Sequence, residues 1–252
     1  MLRLKDKVAI VTGAGSGFGE GIARRFAAEG AKVVLADIND QQGRRVTEAI
    51  AKAGGVAHYV HADVSIASEV AAMVAAAAKH FGGLDILVNN AGVPQRNGPM
   101  LAVDEATFDR IFAVNVKSIY LAAIHAVPAL ERRGGGAIIN TASTAGLRPR
   151  PGLVWYNGSK GAVISLTKAM AIELAVKKIR VNALCPVAGD TPMLGDFMGG
   201  DTPENRARFI ASIPLGRLST PADLANAALY LASDEGAFIT GVALEVDGGR
   251  CI

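Results

Sequence analysis

Apolar residues along the chain follow two alternating patterns. Short β-branched runs occur at Val8–Thr12, Lys32–Ala36, Ala57–His61, Ile86–Asn89, Ala137–Thr141, Arg180–Leu184 and Ala243–Val246. Between them, longer Ala-rich stretches carry helical spacing over Gly19–Glu29, Gln41–Ala53, Ser65–Phe81, Glu105–Glu131, Tyr156–Val176 and Ala222–Ala232. This alternation is the signature of βαβ units. It predicts an α/β fold: a doubly wound, seven-stranded, mostly parallel sheet with helices on both faces. The stretch Asp190–Leu215 breaks the rhythm and predicts irregular chain.

Composition narrows this picture. No Pro/Ser-rich linker divides the 252 residues, so one domain over 1–252 is expected. Aromatic residues are only 5%, which suits a sheet covered closely by small-residue helices. The formal charge of +3 is spread along the chain, leaving no footprint for nucleic acid or a membrane surface. Near the N-terminus only Val8 to Val11 are continuously apolar, too few for a signal peptide or a membrane span, so a cytoplasmic location is expected. Cys185 and Cys251 form no paired motif. His58 and His61 fall on opposite faces of a strand, and His80 and His125 stand alone. No catalytic metal is expected.

The first strand runs into Thr12-Gly13-Ala14-Gly15-Ser16-Gly17-Phe18-Gly19 and then a helix. A glycine-rich turn at a helix N-terminus brings backbone N–H groups and the positive dipole end toward a pyrophosphate. The pattern is TGxxxGxG, with Phe18 where the strict GxGxxG fingerprint needs glycine. By itself such a turn can also be a plain structural loop. The second strand ends at Ala36, and Asp37 follows it, 24 residues after Gly13, near where a dinucleotide fold reads the ribose. It can accept from both ribose hydroxyls of NAD and repels a 2′-phosphate, and neither Ala14 to Ser16 nor Ile38 offers an arginine. NAD is therefore favoured over NADP, although Asp37-Ile38-Asn39-Asp40 also suits ordinary turn chemistry.

Taken in order, Thr12, Gly13, Gly17 and Gly19, Asp63-Val64, Asn89-Asn90-Ala91-Gly92, Asn115, Ser143, Tyr156 with Lys160, Pro186 and Asp247-Gly248-Gly249 resemble the short-chain dehydrogenase/reductase family over essentially the whole chain. The resemblance implies a Rossmann-type fold and assembly as a homotetramer or homodimer. It implies cofactor contacts at Gly13, Ser16, Gly17, Phe18, Gly19, Asp37 and Ile38. Asp63 and Val64 would border the adenine, and Asn89, Ala91 and Gly92 would line the cofactor. Tyr156, Lys160, Pro186, Ala188 and Thr191 complete the implied set, with Thr191 at the nicotinamide carboxamide. Val187 stands where many relatives have glycine, and Gly158 where alanine is frequent.

The chemistry asks for a proton carrier beside a hydride carrier. An isolated tyrosine titrates near about 10, so working near neutrality means favouring its phenolate by roughly 4 kcal/mol. Lys160 lies one turn after Tyr156 on the same helix face, and its ammonium, with an oxidised nicotinamide, would supply that field. Ser143 follows a strand at the carboxyl edge of the sheet, where it can hydrogen-bond a substrate oxygen. Asn115 is poorly placed inside a helix on propensity grounds, and by resemblance it holds a water that links Lys160 to solvent.

On the substrate side, Met193, Leu194, Phe197 and Met198 precede Gly199-Gly200, so residues 190–215 suit a lid over the substrate or an amphipathic helix packed on the body or a neighbouring subunit. Arg96, Arg148 and Arg150 fall in loops at the substrate end and hint at an anionic small-molecule substrate, though loop arginines also serve as solvated rim. Trp155 suits a pocket wall or an interface. The leading expectation is hydride transfer between NAD(H) and a secondary alcohol or ketone, including polyols, sugars and hydroxy acids. A 3-oxoacyl carrier-protein reductase is the alternative within that chemistry. A catalytically silent NAD-binding sensor is the alternative outside it.

Overall fold

In the computed structural model, which describes residues 2–252, alternate side chains of each central strand enter different cores. Along β1 (Val8–Thr12), Ala9 and Val11 join one apolar layer while Val8 and Ile10 join the other. Val33 and Leu35 oppose Val34 in the same way on β2 (Lys32–Asp37). A strand buried on both faces has no polar side, which is why these segments are apolar at nearly every position. Beyond them lie β3 (Val56–His61), β4 (Ile86–Asn89), β5 (Gly136–Thr141), β6 (Ile179–Pro186) and β7 (Ala243–Val246). The order across the sheet is β3-β2-β1-β4-β5-β6-β7, and every neighbouring pair is parallel.

One layer is built by α1 (Gly17–Ala28), α2 (Asp40–Lys52) and α9 (Pro221–Ala232), which bury Ile22, Phe26, Val46, Leu224 and Leu229. The other is built by α3 (Ala67–Phe81), α5 (Ser118–Arg132) and α6 (Val154–Leu174), through Met73, Leu121, Leu130 and Leu174. The α9 helix is sharply started by a capping box: Thr220 and Asp223 exchange side-chain and backbone hydrogen bonds, with Pro221 at the first helical position.

Three expectations need correction. The stretch 190–215 is not irregular; it contains α7 (Leu194–Met198) and α8 (Pro203–Ala211), separated by Gly199 and Gly200 at φ +73° and +135°. The signal was Thr202-Pro203, a side-chain cap followed by proline at the helix start. The single long helix expected over Glu105–Glu131 is α4 (Glu105–Phe112) and α5 joined by a π turn, Ala113–Lys117. His80 is not alone, because α3 packs over β3 and stacks it on His58 with ring centroids 3.7 Å apart.

The run Glu105–Arg132 is long and apolar enough to cross a membrane by composition alone. Ile119, Leu121, Ala122, Ala126, Ala129 and Leu130 on its inner side are buried against neighbouring elements, so core packing accounts for much of that character.

Candidate active site

The sheet changes direction between β1 and β4, the two strands from which the chain winds outward to either side. Their carboxyl ends open a crevice at that switch point. Asn90 ties its two walls together: its amide nitrogen donates to the Thr12 carbonyl at 2.9 Å, and the backbone N–H groups of Asn90 and Ala91 both donate to Thr12 Oγ1 at 3.0 Å. The glycine turn lies against this bridge. Gly13 has φ +63°, and a side chain on Gly19 would meet the Gly13 carbonyl oxygen at 2.0 Å. Backbone therefore packs on backbone, and α1 starts at the floor of the crevice with its first N–H groups facing it.

The crevice is a cavity of about 660 Å³. Of the residues expected at a cofactor, Gly13, Ser16, Gly17, Phe18, Asp37, Ile38, Asp63, Val64, Ala91, Gly92, Tyr156, Lys160, Pro186, Ala188 and Thr191 all line it. Gly19 and Asn89 do not. Gly19 is packed against Gly13, and Asn89 points into the sheet layer, where it donates to Asn140 at 2.9 Å. The residue that reaches the cavity is Asn90. Phe18 replaces the missing fingerprint glycine because it has room: the chain at Gly189 passes so close that a Cβ there would lie 2.2 Å from the Phe18 ring. Asp37 accepts from Gly15 N–H at 2.7 Å and Asn39 N–H at 2.8 Å, which fixes its carboxylate at the edge of the turn. A narrow glycine floor, a free helix start and a strand-end carboxylate fit a dinucleotide, with the Asp37 end suited to a ribose.

At the other end of the cavity Tyr156 and Lys160 are buried on α6, and Ser143 follows β5. Lys160 Nζ donates to the Thr141 carbonyl at 2.8 Å and lies 5.8 Å from the Tyr156 ring centre. Burial pushes the Tyr156 phenol up to about 12, with the Ser143 hydroxyl pulling it down. Burial likewise pulls the Lys160 ammonium down to about 8. Desolvation is the largest influence on both groups.

Asn115 sits in the π turn with its side chain fully engaged. It accepts from Val93 N–H at 2.8 Å and donates to the Val93 carbonyl and to Ser159 Oγ, both at 3.1 Å. Across Gly92 it faces Lys160: a Cβ on Gly92 would lie 3.3 Å from Asn115 Oδ1 and 3.5 Å from Lys160 Nζ. The extra residue of the π turn is what presents Asn115 sideways to this loop.

Gln95 is a residue that sequence reading missed. It is buried, and its Oε1 accepts from the backbone N–H groups of Trp155 and Tyr156, each at 3.0 Å, while its Nε2 donates to the Gly152 carbonyl at 3.2 Å. The first turn of α6 has no cap from its own N-cap residue, Leu153, so a glutamine 60 residues upstream serves instead.

The expected substrate residues divide. Arg150 and Met193 line the cavity, joined by Leu153, Phe197 and Phe209. Phe197 packs on the Tyr156 ring at 5.0 Å. Arg96, Arg148, Trp155 and Leu194 do not line it. Arg148 donates to the carbonyls of Arg250 and Ile252, Trp155 turns to Phe108 and donates to the Met100 carbonyl, and Leu194 anchors α7 in a cluster with Val187, Ile213 and Leu218. Glu245, Asp247 and Cys251 come close together, with Asp247 already accepting from the Gly249 and Cys251 N–H groups.

Comparison with known proteins agrees with this geometry. Residues 13–250 match the family model described as enoyl-(acyl carrier protein) reductase. A 4-formylbenzenesulfonate dehydrogenase of Comamonas testosteroni is 51% identical, with all of both chains covered. A 2-(S)-hydroxypropyl-CoM dehydrogenase of Xanthobacter autotrophicus is 41% identical over 98% of this chain and 97% of that protein. The solved structure of a Brucella melitensis 3-ketoacyl-(acyl-carrier-protein) reductase with NADH superposes with a TM-score of 0.92 at 50% identity, covering 99% of this chain and 100% of that one. With a family match over nearly the full length and relatives of this identity, the chain belongs to the short-chain dehydrogenase/reductase family, as an oxidoreductase acting on CH–OH groups with a nicotinamide cofactor.

Proposed function

We propose that the protein reversibly oxidises a secondary alcohol to its ketone, with NAD rather than NADP as cofactor and Tyr156 as the proton carrier. The observation that carries this reading is the burial of Tyr156 and Lys160 at one end of the cavity, beside Ser143, with Asp37 at the other. The cofactor, when bound, supplies or accepts the hydride. Ser143 donates a hydrogen bond to the substrate oxygen, and the Tyr156 hydroxyl gives or takes the proton at that same oxygen. Lys160 holds positive charge near the phenol, and Asn115 orders the path by which its proton returns to solvent.

Asp37 carries the cofactor preference, because its carboxylate is fixed toward the turn and repels a 2′-phosphate. Residues 190–215 act as a lid: Phe197 already covers Tyr156, and Gly199 and Gly200 are suited to hinging. The chain works as one domain in the cytoplasm, as a homotetramer or homodimer. Exposed apolar side chains on α5, α6 and near the C-terminus, among them Tyr120, Ile172, Phe238 and Ile252, support such an assembly.

A 3-oxoacyl carrier-protein reductase is the second reading, favoured by the description of the Brucella structure. The test is a panel of secondary alcohols, polyols, hydroxy acids and acetoacetyl-CoA assayed with NAD(H) and NADP(H) through nicotinamide absorbance. Turnover of an alcohol with NAD supports the proposal. Turnover of acetoacetyl-CoA alone selects the second reading. NADH binding with no turnover of any substrate leaves the silent sensor. Equal or tighter binding of NADPH in a fluorescence titration removes the role given to Asp37.

A further inference from the structure

We infer that Arg150 is a specificity residue which binds a carboxylate or sulfonate on the substrate, so that the preferred alcohol has an aromatic or other apolar body ending in an oxyanion. This rests on the dehydrogenase reading above and deepens it.

The charges around the cavity are unevenly divided. Five ionisable side chains that carry charge near neutrality line it: Asp37, Asp63, Arg110, Arg150 and Lys160. Both carboxylates are committed elsewhere. Asp37 accepts from Gly15 and Asn39, and Asp63 accepts from the backbone and hydroxyl of Ser65. The three cations Arg110, Arg150 and Lys160 thus outnumber the two carboxylates along the lining.

Lys160 is held by the Thr141 carbonyl, whereas the Arg150 guanidinium has no carboxylate or carbonyl partner among the described residues. Its contact is a stack on the Phe209 ring, 4.9 Å from the centroid, which fixes the plane of the fork without using its N–H donors. On balance its surroundings oppose its charge: burial first, then Arg250, with Cys251 working the other way and Arg148 a smaller opponent, bring its pKa down to about 10. It is still a cation at neutral pH. Arg250 adds to the excess, and its Nε is buried with no hydrogen-bond partner among the described residues. A partly buried guanidinium among like charges, with five donors and no acceptor, is a site that an anion stabilises.

The backbone places this group deliberately. The Arg150 carbonyl accepts from Asn157 Nδ2 at 2.8 Å, so the loop is fastened to the first turn of α6, next to Tyr156. Leu153, Phe197 and Phe209 supply apolar walls in the same cavity. A substrate that presents its alcohol to Tyr156 and an oxyanion to Arg150 would cross those walls with an apolar body.

The test compares matched alcohols with NAD: 1-phenylethanol, 4-(1-hydroxyethyl)benzoate and 4-(1-hydroxyethyl)benzenesulfonate. For the native enzyme, kcat/KM for the better anionic alcohol is expected to exceed that for the neutral one at least tenfold. In Arg150→Met this ratio is expected to fall at least tenfold, chiefly through KM, with Arg150→Lys in between. A native ratio near one, or a ratio that survives in Arg150→Met, overturns the inference. A second measurement is independent of turnover: calorimetric titration of the protein–NADH complex with benzoate, benzenesulfonate and acetophenone. Anion binding that Arg150→Met abolishes supports the site even where no alcohol is oxidised, in which case the dehydrogenase reading fails alone. Tighter binding of acetophenone than of both anions overturns it.

Discussion

Gln95 and Tyr156 are joined by a 3.0 Å hydrogen bond from the tyrosine backbone N–H to the glutamine side-chain oxygen, which also accepts from Trp155. One buried side chain thus fixes the turn of α6 from which the phenol projects. Gln95→Leu leaves those N–H groups and the Gly152 carbonyl unpaired, with a stability loss of about 1 kcal/mol or more expected from the lost cap. Because a small misplacement of a reacting group is costly, kcat should fall about tenfold or more, while the KM for NAD changes little. Gln95→Glu keeps an accepting oxygen but sets a second one against the Gly152 carbonyl, so it should regain kcat only as pH falls and the carboxyl takes up a proton it can donate. A kcat ratio of Gln95→Glu to Gln95→Leu that does not rise toward low pH, or a loss confined to the KM for NAD, would count against a positioning role.

Tyr156→Phe removes the proton carrier and keeps the ring that packs on Phe197. Turnover should drop by about 10²–10⁴-fold, the usual contribution of a positioned general acid or base. NADH affinity, read by fluorescence titration, should stay within a small factor of the native value. Retained turnover would remove Tyr156 from the chemistry.

Lys160 gives a pH signature with a definite sign. Its pKa is near 8 in the folded protein against a usual 10.5. Below pH 8 the folded and unfolded chains both carry the proton, and the native state bears the full cost of burying it. Between pH 8 and 10.5 the unfolded chain binds more proton than the folded one, so this cost disappears as pH rises. The Tm of Lys160→Met minus that of the native protein should therefore be most positive below pH 8 and decline toward pH 10.5. A difference that is flat over this window would show that the ammonium is not held down.

Gly19→Ala puts a methyl group against the Gly13 carbonyl oxygen, where 2.0 Å separates the Cβ position from the oxygen. Backbone cannot yield as a flexible side chain does, so about 1–3 kcal/mol of destabilisation is expected from overpacking. Cofactor affinity should weaken as well, although Gly19 does not line the cavity, because the turn that does must shift. Calorimetric unfolding and NADH titration measure the two effects.

The central strands were readable because they are buried on both faces, as with Ala9 and Val11 opposing Val8 and Ile10. The glycine turn and the helical spacing of Tyr156 and Lys160 are local features and equally readable. What escaped depends on distance in sequence or on a half-turn of chain. Asn89 and Asn90 look interchangeable in the motif, yet alternation at the strand end sends Asn89 down to Asn140 and Asn90 into the cavity. Gln95 caps a helix that starts 59 residues later, and Phe209 reaches the cavity from α8, so neither had a local signal. Of six positions expected at the substrate end, Arg96, Arg148, Arg150, Trp155, Met193 and Leu194, only Arg150 and Met193 line the cavity, because loop direction is set by tertiary contacts such as Asn157 with the Arg150 carbonyl.

The π turn between α4 and α5 has a consequence for how this protein can change over time. One surplus residue at Ala113–Lys117 is held in the wider turn, so α4 and α5 keep nearly the phase of a continuous helix on either side of it. A single-residue deletion there would let the turn close to ordinary α geometry with both flanking helices still packed as before, whereas the same deletion inside α5 would turn its apolar side by about 100° away from the core. What the deletion in the turn would remove is local: the side chain at Asn115 would swing with the helix and leave Val93 and Ser159. In this segment a lost residue should therefore spare folding and cost the site.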